Sequence, residues 1–456
     1  MTRVAFFEDA EAAGLAPIAL MRPVFELLCG HFSLRDRVLR TQNVTEWGAF
    51  VRGFLEETYR ESQTDAHVND YIWLGQEPTL VINGRWLPDI AALAALRTAS
   101  ENEVGMIDGT VAYLKLDPIE VALLSDGDWS EPILKIAEGR QVVETSGAIV
   151  SRPWDLINNN GRQIEVDFQL LDRSLPNVSG YSLVNRLGQQ VAIQGNPDHV
   201  YVAETAEIDP FVVLDARHGP LSIEDGVKLQ PYTRLEGPCH IGQRSQLFRT
   251  NLREGTTIGP VCRVGGEVEE SIMHGYSNKY HDGFLGHSYI CPWVNLGALT
   301  TNSDLKNDYS NVKVPLLGKS IDTQSTKIGC FIGDHTKTAL GSLFNTGSSI
   351  GVMCMVLPGG ELLPKHIPSF SRIWHGELDN KFDWNAALQT AHTALSRRGA
   401  EFTAAQERLL KHIYDSSIDE REKALKRFQQ KNARSGIAQA AERAEQVKHE
   451  ENVSVS

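Results

Sequence analysis

An apolar residue recurs at every sixth position through much of 223–356, and few folds accept such a period. Six residues is neither the 3.6-residue period of an amphipathic helix nor the two-residue period of a half-buried strand. One short strand and one corner take about six residues, and three such sides close a triangular coil that stacks on the next. The repeat therefore predicts a parallel β-helix whose inward side chains are Ile223, Leu229, Leu235, Ile241, Leu247, Leu252, Ile258, Val264, Ile332, Thr338, Phe344, Ile350 and Val356.

Glycine directly follows several inward residues, as in Ile332-Gly333, where a corner can use the dihedral range that only glycine has. Two stretches, 265–284 and 303–327, break the six-residue count. Stacked coils can only push extra residues outward, and loops on a rigid scaffold often carry functional side chains. We therefore expect two outward loops. The first contains three candidate side chains, which are His274, Lys279 and His281.

The rest of the chain divides into three further regions. Residues 1–150 alternate short apolar strands with helical patterns, which is typical of an α/β domain with a largely parallel sheet. A helical connector and a turn-rich bridge occupy 151–200, and the β-helix is expected over 201–370. Residues 371–456 are rich in Ala, Gln, Arg, Glu and Lys, which indicates a C-terminal helical tail.

The composition is typical of a soluble protein. The chain of 456 residues has a formal net charge of −14. An acidic surface repels polyanions, which excludes nucleic acid as a partner, whereas a small anionic substrate needs only a local basic pocket. No apolar run reaches the roughly 20 residues of a membrane span, the start lacks the apolar region of a signal peptide, and the six cysteines form no C-x-x-C pair. We expect a cytoplasmic protein with reduced thiols and no membrane contact.

Three arginines follow the first predicted strand, namely Arg22, Arg35 and Arg37. Arginine forks near the carboxyl end of a strand can clamp the phosphates of a nucleotide. Arg22 and Arg35 are therefore candidate nucleotide-binding residues. The alternative, arginines that are simply solvated, stays open because basic residues are mostly exposed.

The run 278–302 carries the residues best suited to catalysis. Imidazole side chains ordinarily titrate near neutrality, which suits His281 to take a proton from a hydroxyl or an amine. The amides of Asn295 and Asn302 can fix a sugar or a thioester carbonyl. The run also has a recognisable order, with His281, Phe284-Leu285-Gly286, Val294-Asn295-Leu296-Gly297-Ala298, Thr300 and Asn302.

This order resembles the acetyltransferase half of the bifunctional N-acetylglucosamine-1-phosphate uridyltransferase / glucosamine-1-phosphate acetyltransferase family. The resemblance implies a left-handed β-helix that forms a homotrimer with active sites between subunits. It implies that His281 is the general base that deprotonates the acceptor amine for attack on acetyl-coenzyme A. It further implies that Asn295 is an acceptor ligand and that the backbone of Ala298 contacts acetyl-coenzyme A.

Two residues depart from the family pattern. Phe284 stands where the family has a sugar-contacting Tyr, and Glu269 stands where the family has a Lys twelve residues before the catalytic His. Glu269 lies in an acidic run that repels a sugar phosphate, and a charge change of this kind alters substrate preference. Arg263 and Lys279 are the candidates to replace the missing cation.

The N-terminal half also carries a spaced pattern, which is Arg22-Pro23, Gly30 and Leu34-Arg35. This spacing resembles a branch of sugar nucleotidyltransferases and implies a Rossmann-like head that binds a nucleoside triphosphate and a sugar-1-phosphate with Mg²⁺. The glycine-rich loop of the bifunctional enzymes is absent, and Asn83-Gly84-Arg85 stands where a Gly-Asp would hold Mg²⁺.

A zinc site is the alternative for the histidines of the first interruption. His274, His281 and His287 lie seven and six residues apart. Zinc β-helix enzymes of the γ-carbonic anhydrase kind use two ligands four residues apart and a third a coil or two away, which this spacing does not match. We therefore assign no metal ligands.

The sequence thus predicts a sugar-1-phosphate nucleotidyltransferase fused to a hexapeptide-repeat acetyltransferase, which would make an activated acetamido sugar nucleotide. One alternative is acyl transfer alone, with the head reduced to a nucleotide-sugar-binding module. The other alternative is a non-catalytic β-helix scaffold that assembles partners through its C-terminal helices.

Overall fold

The computed structural model describes residues 2–124, 128–171, 177–178 and 180–430. The N-terminal part, called the head below, contains β1 Thr2–Phe7, α1 Leu34–Thr41, β2 Val44–Phe50, α2 Glu56–Ser62, β3 His67–Val68, α3 Tyr71–Leu74, β4 Thr79–Asn83, β5 Trp86–Leu87, α4 Ile90–Ala95, β6 Glu103–Ile107, β7 Thr110–Leu116, α5 Ser130–Ala137, β8 Gln141–Glu144 and β9 Ala148–Ile149.

Seven strands of the head form one sheet in the order β3-β2-β1-β4-β7-β6-β8. The strands β2 and β4 flank β1 in parallel, whereas β7 runs antiparallel to β4 and β6. The chain leaves β1 towards β2 on one side and returns to β4 on the other, so a topological switch point lies between the carboxyl ends of β1 and β4. The predicted α/β head is confirmed, with a mixed sheet in place of a largely parallel one.

A long helix, α6 Pro153–Gln169, joins the head to the second half of the chain. Proline at its first turn suits a position where the backbone N–H has no helical partner. Asn160 of α6 accepts from the backbone N–H of Gly30 at 2.7 Å and donates to the carbonyl oxygen of Gly255 at 2.8 Å. The helix therefore lies between the head and the coils and bonds to both.

The second half is a parallel β-helix. After α6, the elements are β10 Asn177–Val178, α7 Gly180–Leu187, β11 Ala192–Gly195, β12 Val200–Ala203, β13 Glu207–Ile208, β14 Val213–Ala216, β15 Leu221–Ile223, β16 Lys228–Leu229, β17 Arg234–Glu236, β18 Cys239–Ile241, β19 Gln246–Leu252, β20 Thr256–Ile258, β21 Arg263–Glu269, β22 Ile272–Met273, β23 Asn278–Lys279, β24 Phe284–Gly286, β25 Tyr289–Ile290, β26 Thr301–Asn302, β27 Lys313–Leu316, β28 Lys319–Asp322, β29 Cys330–Ile332, β30 Lys337–Thr338, β31 Leu343–Phe344, β32 Ser348–Ile350, β33 Met355–Val356, β34 His366–Ile367, β35 Arg372–Trp374 and β36 Glu377–Asp379.

The coils stack in register along one face, where Ile223 pairs with Ile241, Ile241 with Ile258, and Ile332 with Ile350. Every inward position predicted from the repeat is buried. Stacked apolar side chains of this kind form a continuous core that no single coil could bury alone. The predicted β-helix is confirmed, and its six-residue sides suit the left-handed form.

The first predicted loop, 265–284, is wrong, because β21, β22 and β23 continue the stack through it. Lys279 pairs with Val264 and takes its inward position. The Lys279 ammonium is buried and donates to the carbonyl oxygens of Gly265 and His281 at 2.7 and 3.2 Å. A polar side chain at an inward position therefore concealed the repeat from sequence reasoning.

The second predicted loop, 303–327, is confirmed as an outward insertion. Its strands β27 and β28 form an antiparallel hairpin, and the stack resumes where Tyr289 pairs with Phe331. Val312 and Val314 of the insertion belong to the same apolar cluster as Leu15 of the head. The insertion thus packs back onto the head rather than extending into solvent.

The helices α8 Trp384–Ser396 and α9 Ala404–Ser416 and a further helical stretch over 418–430 follow the last coil and confirm the helical pattern over this part of the tail. Leu409, Leu410 and Ile413 of α9 pack in one cluster with Phe370 of the coils and Tyr59 of the head. The tail therefore joins both halves of the molecule. The predicted helical pattern beyond 430 lies outside the described residues.

All six cysteines are buried and free. Within the ranges that the structure describes, no helix combines the length and the apolar character that crossing a bilayer requires.

Candidate active sites

The carboxyl ends of β1 and β4 form the edge at which the strand order predicts a ligand crevice. Asp9 follows β1, and its carboxylate accepts hydrogen bonds from Arg85 at 2.6 and 2.7 Å and from Asn83 Nδ2 at 3.0 Å. Arg85 is buried and also donates to Val150 O and Ser151 Oγ, each at 3.0 Å. This ion pair ties the sheet edge to the start of the connector.

Glu8 makes a second ion pair at the same edge. Its Oε2 accepts from the backbone N–H and the Nε of Arg52 at 3.0 and 3.1 Å, and its Oε1 accepts from Val24 N at 2.9 Å. Glu8 and Asp9 therefore both face arginines, whereas Mg²⁺ needs carboxylate oxygens that are free to coordinate it. These two carboxylates do not fit a preformed Mg²⁺ site.

The predicted nucleotide-binding arginines have separate acidic partners. Arg22 reaches out of the head to Asp334 of the β-helix, with its Nη1 3.2 Å from Asp334 Oδ2. Arg35 stays within the head and donates from Nε to Glu26 Oε1 at 2.5 Å. Burial opposes the charge of both guanidiniums, but these carboxylates outweigh it and raise the pKa of each. The structure does not join the two arginines in one clamp, and their nucleotide-binding role stays a prediction.

His281 is exposed at a corner of the β-helix, with its ring edge-on to Tyr280 at 5.0 Å between centroids. Ala298 lies at the same corner one coil further on, where a 3.0 Å backbone hydrogen bond from Leu299 joins the two coils. The neighbouring side chains of Leu299 and Leu340 are 59% and 71% exposed. The imidazole is thus carried on a rigid corner beside an open apolar surface.

Lys279 supports this corner from inside through its hydrogen bond to the carbonyl oxygen of His281, whereas Asn302 is bonded to β24. Burial lowers the pKa of Lys279 to about 8. Asn302 exchanges two hydrogen bonds of 3.0 Å with the backbone of Gly286. Both side chains are engaged by backbone groups, so the geometry gives them a positioning role, and contact of either with an acceptor stays a prediction.

Arg263 and Asn295 line a pocket of about 570 Å³ between the β-helix and α8, which we call the α8 pocket. Asn278, Asn295 and Lys337 stack on consecutive coils along it. Asn278 accepts from Arg398 Nη2 at 3.0 Å and donates to Asn295 Oδ1 at 3.2 Å. The structure therefore brings Arg263 and Asn295 together, while His281 lies outside the lining of this pocket.

Sequence reasoning missed most of the α8 pocket. Arg397 and Arg398 come from the end of α8, more than a hundred residues from Arg263 along the chain, and nothing in the repeat indicates that they meet. Tyr276 and Trp293 are recognised as a pair only in the fold, because Lys279 hid the repeat around Tyr276. Each lies three residues before an inward position and has a positive φ, of 52° and 64°, and their rings stack at 4.7 Å.

Glu269, Glu270 and His287 form a group of potential metal ligands. His287 Nδ1 lies 2.8 Å from Asp304 Oδ2, and its Nε2 lies 3.2 Å from Glu270 Oε2. Burial opposes protonation, but these hydrogen bonds outweigh it and raise the pKa of His287 to about 9. A protonated imidazole offers no lone pair, so this geometry favours an ion-pair cluster over a metal centre.

Comparison with known proteins gives independent information on part of the chain. Residues 4–174 match the family model described as sugar nucleotidyl transferase. The chain is 33% identical over 253 residues to a bifunctional sugar-1-phosphate nucleotidylyltransferase/acetyltransferase of Sulfurisphaera tokodaii, an alignment that covers 54% of this chain and 55% of the relative. It is 26% identical over 191 residues to the bifunctional protein GlmU of Acaryochloris marina, covering 37% and 38%.

The solved structures compared include a UDP-N-acetylglucosamine acyltransferase, with 15% identity and a TM-score of 0.20 over 41% of this chain and 66% of that one. The chain spans about half the length of the Sulfurisphaera relative and less of the GlmU protein. The resemblance predicted from the sequence is confirmed for these aligned parts.

Proposed function

We propose that this protein is a sugar-1-phosphate nucleotidyltransferase fused to a hexapeptide-repeat acetyltransferase, which together make an activated acetamido sugar nucleotide. The observation that carries the proposal is the combination within one chain of a head that matches sugar nucleotidyl transferases and a β-helix that exposes His281 at a rigid corner. The proposed head spans 1–150, the connector and bridge 151–200, the β-helix 201–370 and the tail 371–456.

The second half performs acyl transfer from acetyl-coenzyme A. An amine of the acceptor attacks the thioester carbonyl carbon, the carbon–sulfur bond breaks, and an amide and a free thiol form. His281 takes the proton that the amine loses, as a general base within hydrogen-bond reach of it, and passes this proton to the leaving thiolate. Asn295 orients the acceptor, and the backbone at Ala298 contacts acetyl-coenzyme A.

The active site is completed in a homotrimer. Leu299 and Leu340 are exposed beside His281 on consecutive coils. Apolar side chains left in solvent at one corner favour burial against another copy of the chain. Sedimentation equilibrium should give three times the monomer mass of 50.5 kDa, and Leu340→Asp should lower the mass and the acyl transfer rate together.

The first half transfers a nucleotidyl group from a nucleoside triphosphate to a sugar-1-phosphate. A phosphate oxygen of the sugar attacks the α-phosphorus, and pyrophosphate leaves. Arg22 and Arg35 contact the nucleotide. Because each arginine has a carboxylate partner, phosphate oxygens would have to compete with Asp334 and Glu26. We place this work in the cytoplasm, where nucleoside triphosphates and acetyl-coenzyme A are available.

The test of acyl transfer measures thiol release from acetyl-coenzyme A with a panel of amino sugars. His281→Ala should lower kcat by about 100-fold or more, which is the usual contribution of a general base, and should leave the melting temperature unchanged because the side chain is exposed. His199→Ala, at an exposed histidine outside both sites, is the matched control. Normal turnover of His281→Ala would refute the assignment.

The test of nucleotidyl transfer measures pyrophosphate release from nucleoside triphosphates and sugar-1-phosphates. Arg35→Gln should abolish release, while Arg97→Gln, at an exposed arginine of the same domain, should not. Unchanged release in Arg35→Gln would remove that residue from the site.

One observation favours the alternative of acyl transfer alone. The ion pairs Glu8–Arg52 and Asp9–Arg85 fill the edge between β1 and β4, where the strand order predicts a ligand. A head that only binds a nucleotide sugar, without catalysing its formation, is compatible with acyl transfer by the β-helix. Thiol release without pyrophosphate release would identify this alternative, and the absence of both activities would leave a scaffold.

A further inference from the structure

The α8 pocket concentrates positive charge in an acidic protein. The cations among its lining residues are Arg263, Lys337, Arg397 and Arg398, and the lining, as far as the structure describes it, includes no Asp or Glu. The chain as a whole carries a net charge of −14. Like charges held together raise the energy of the folded state unless an anion lies among them. The cluster therefore indicates an anionic ligand.

The donors of the α8 pocket are held in place before any ligand arrives. Arg263 Nε is buried and has no hydrogen-bond partner among the described residues. Arg398 is oriented by Asn278, which is in turn bonded to Asn295. Lys337 donates to the backbone carbonyl of Trp293. Arg398 and Lys337 are thus oriented by the protein itself before a ligand binds.

The helix dipole explains part of this cluster but not all of it. Cations are favourable at the carboxyl end of a helix, and Arg397 and Arg398 directly follow the last residue of α8. Arg263 and Lys337 belong to the coils, so the preference for cations at a helix end does not account for their positions. Burial lowers the pKa of Lys337 to about 8, and burial together with Arg263 lowers the pKa of Arg398. The protein thus tolerates a real electrostatic cost here.

The size and the remaining lining indicate the class of ligand. A volume of about 570 Å³ lies within the usual range for small-molecule sites. The stacked rings of Tyr276 and Trp293 form an apolar wall, and Thr390 and Thr393 of α8 add hydroxyl groups. This combination suits an organic molecule with a charged end better than a simple inorganic ion.

We propose that the α8 pocket binds the phosphate groups of a phosphorylated small molecule, with Arg263 and Arg398 as the principal contacts and Arg397 at the mouth. Guanidinium forks match phosphate oxygens in geometry and in charge. The choice of ligand rests on the proposed function, which supplies two sources of this chemistry, coenzyme A and a sugar phosphate. The pocket itself does not depend on turnover, because His281 is not part of its lining.

Titration calorimetry on the full-length protein at low salt tests the proposal with four probes, namely coenzyme A, dephospho-coenzyme A, glucosamine-1-phosphate and inorganic phosphate. Arg263→Gln and Arg398→Gln should each weaken binding at least tenfold. Lys381→Gln, an exposed cation shortly before α8 and outside the lining, should stay within twofold of the wild type. Arg397→Gln, at an exposed position, provides a variant that will fold in any case.

The probes distinguish the two sources. If coenzyme A binds and dephospho-coenzyme A does not, the pocket holds the 3′-phosphate of the cofactor. If glucosamine-1-phosphate binds, the pocket holds the phosphate of the acceptor. Either result supports the proposal if the arginine variants bind the same probe more weakly than the wild type does. Equal affinity in the wild type and in Arg263→Gln, Arg398→Gln and Arg397→Gln, or no binding of any probe, would overturn it. The variant His281→Ala separates this inference from the proposed function, because it should lose thiol release and still bind the probe in the α8 pocket.

Discussion

At the scale of single residues, buried ion pairs decide how the two halves meet. Arg37 and Asp167 are both fully buried, with Nε–Oδ1 and Nη2–Oδ2 distances of 2.7 and 2.8 Å. Asp167 also accepts from His31 N at 2.8 Å, and Arg37 donates to Cys29 O at 2.6 Å. A carboxylate of α6 thus organises the loop before α1, and this loop rests on the coils.

Removing one partner of this pair should be costly. In Arg37→Met the Asp167 carboxylate stays buried without its cation, a situation that typically costs about 3–5 kcal/mol. The midpoint of urea unfolding should fall accordingly. The control is Arg408→Met, which breaks the exposed pair with Glu57 and should leave the midpoint nearly unchanged. Equal midpoints for the two variants would contradict this account of the interface.

The sequence indicated a candidate residue where one motif sufficed, and it missed residues that only the fold brings together. His281 was predicted because its motif is continuous in the chain, and its role stays a prediction. Arg22 was expected to bind phosphate, whereas the structure shows an ion pair with Asp334, more than three hundred residues away. Partners at such separations leave no local signal, so charge pairing across domains could not be predicted.

At the scale of elements, the insertion 303–327 is anchored at both of its ends. Asp304, at its start, bonds to His287 of the coil, and Lys327, at its end, lies 3.2 Å from Glu269. Between these anchors the hairpin of β27 and β28 packs on the head. The six-residue repeat predicted the stack and the interruption, because both follow from the periodicity. It could not predict where the hairpin docks, which depends on the head.

The anchor at His287 should make the protein sensitive to alkaline pH. The pKa of His287 is raised in the folded state to about 9 from an ordinary value of 6.5. The unfolded state therefore releases this proton first, and the stabilisation is fully present below about pH 6.5 and is lost as pH rises through 9. Melting temperatures measured between pH 6 and 10 should show this decline.

Asp304→Asn removes a carboxylate that stabilises the protonated His287. The melting temperature of this variant should therefore decline less between pH 6 and 10. Asp308→Asn, which changes an exposed carboxylate of the same insertion bonded to Ser310, is the matched control. Should both variants retain the slope of the wild type, the His287 pair would not be its origin.

At the scale of the whole molecule, neutral histidines fill the contact between the head and the coils. His31 and His240 stack at 4.2 Å between centroids, and both approach Ser222 Oγ, at 3.1 and 2.7 Å. Burial lowers the pKa of His31 to about 3, with Arg37 acting in the same direction, and burial lowers the pKa of His240 well below its ordinary value. Burial also lowers the pKa of His274, which lies on the same face of the coils.

The joined molecule should therefore weaken in acid. Below about pH 6.5 the unfolded state binds protons that the folded state excludes, so each buried histidine lowers the stability as the pH falls towards its folded pKa. Between pH 7.5 and 5 the melting temperature should fall less in the double variant His31→Gln/His240→Gln than in the wild type. The melting temperature of His199→Gln, which changes an exposed histidine, should fall as much as that of the wild type. Because His31 belongs to the head and His240 to the coils, a double variant with an unchanged acid slope would mean that their contact does not control the union of the two halves.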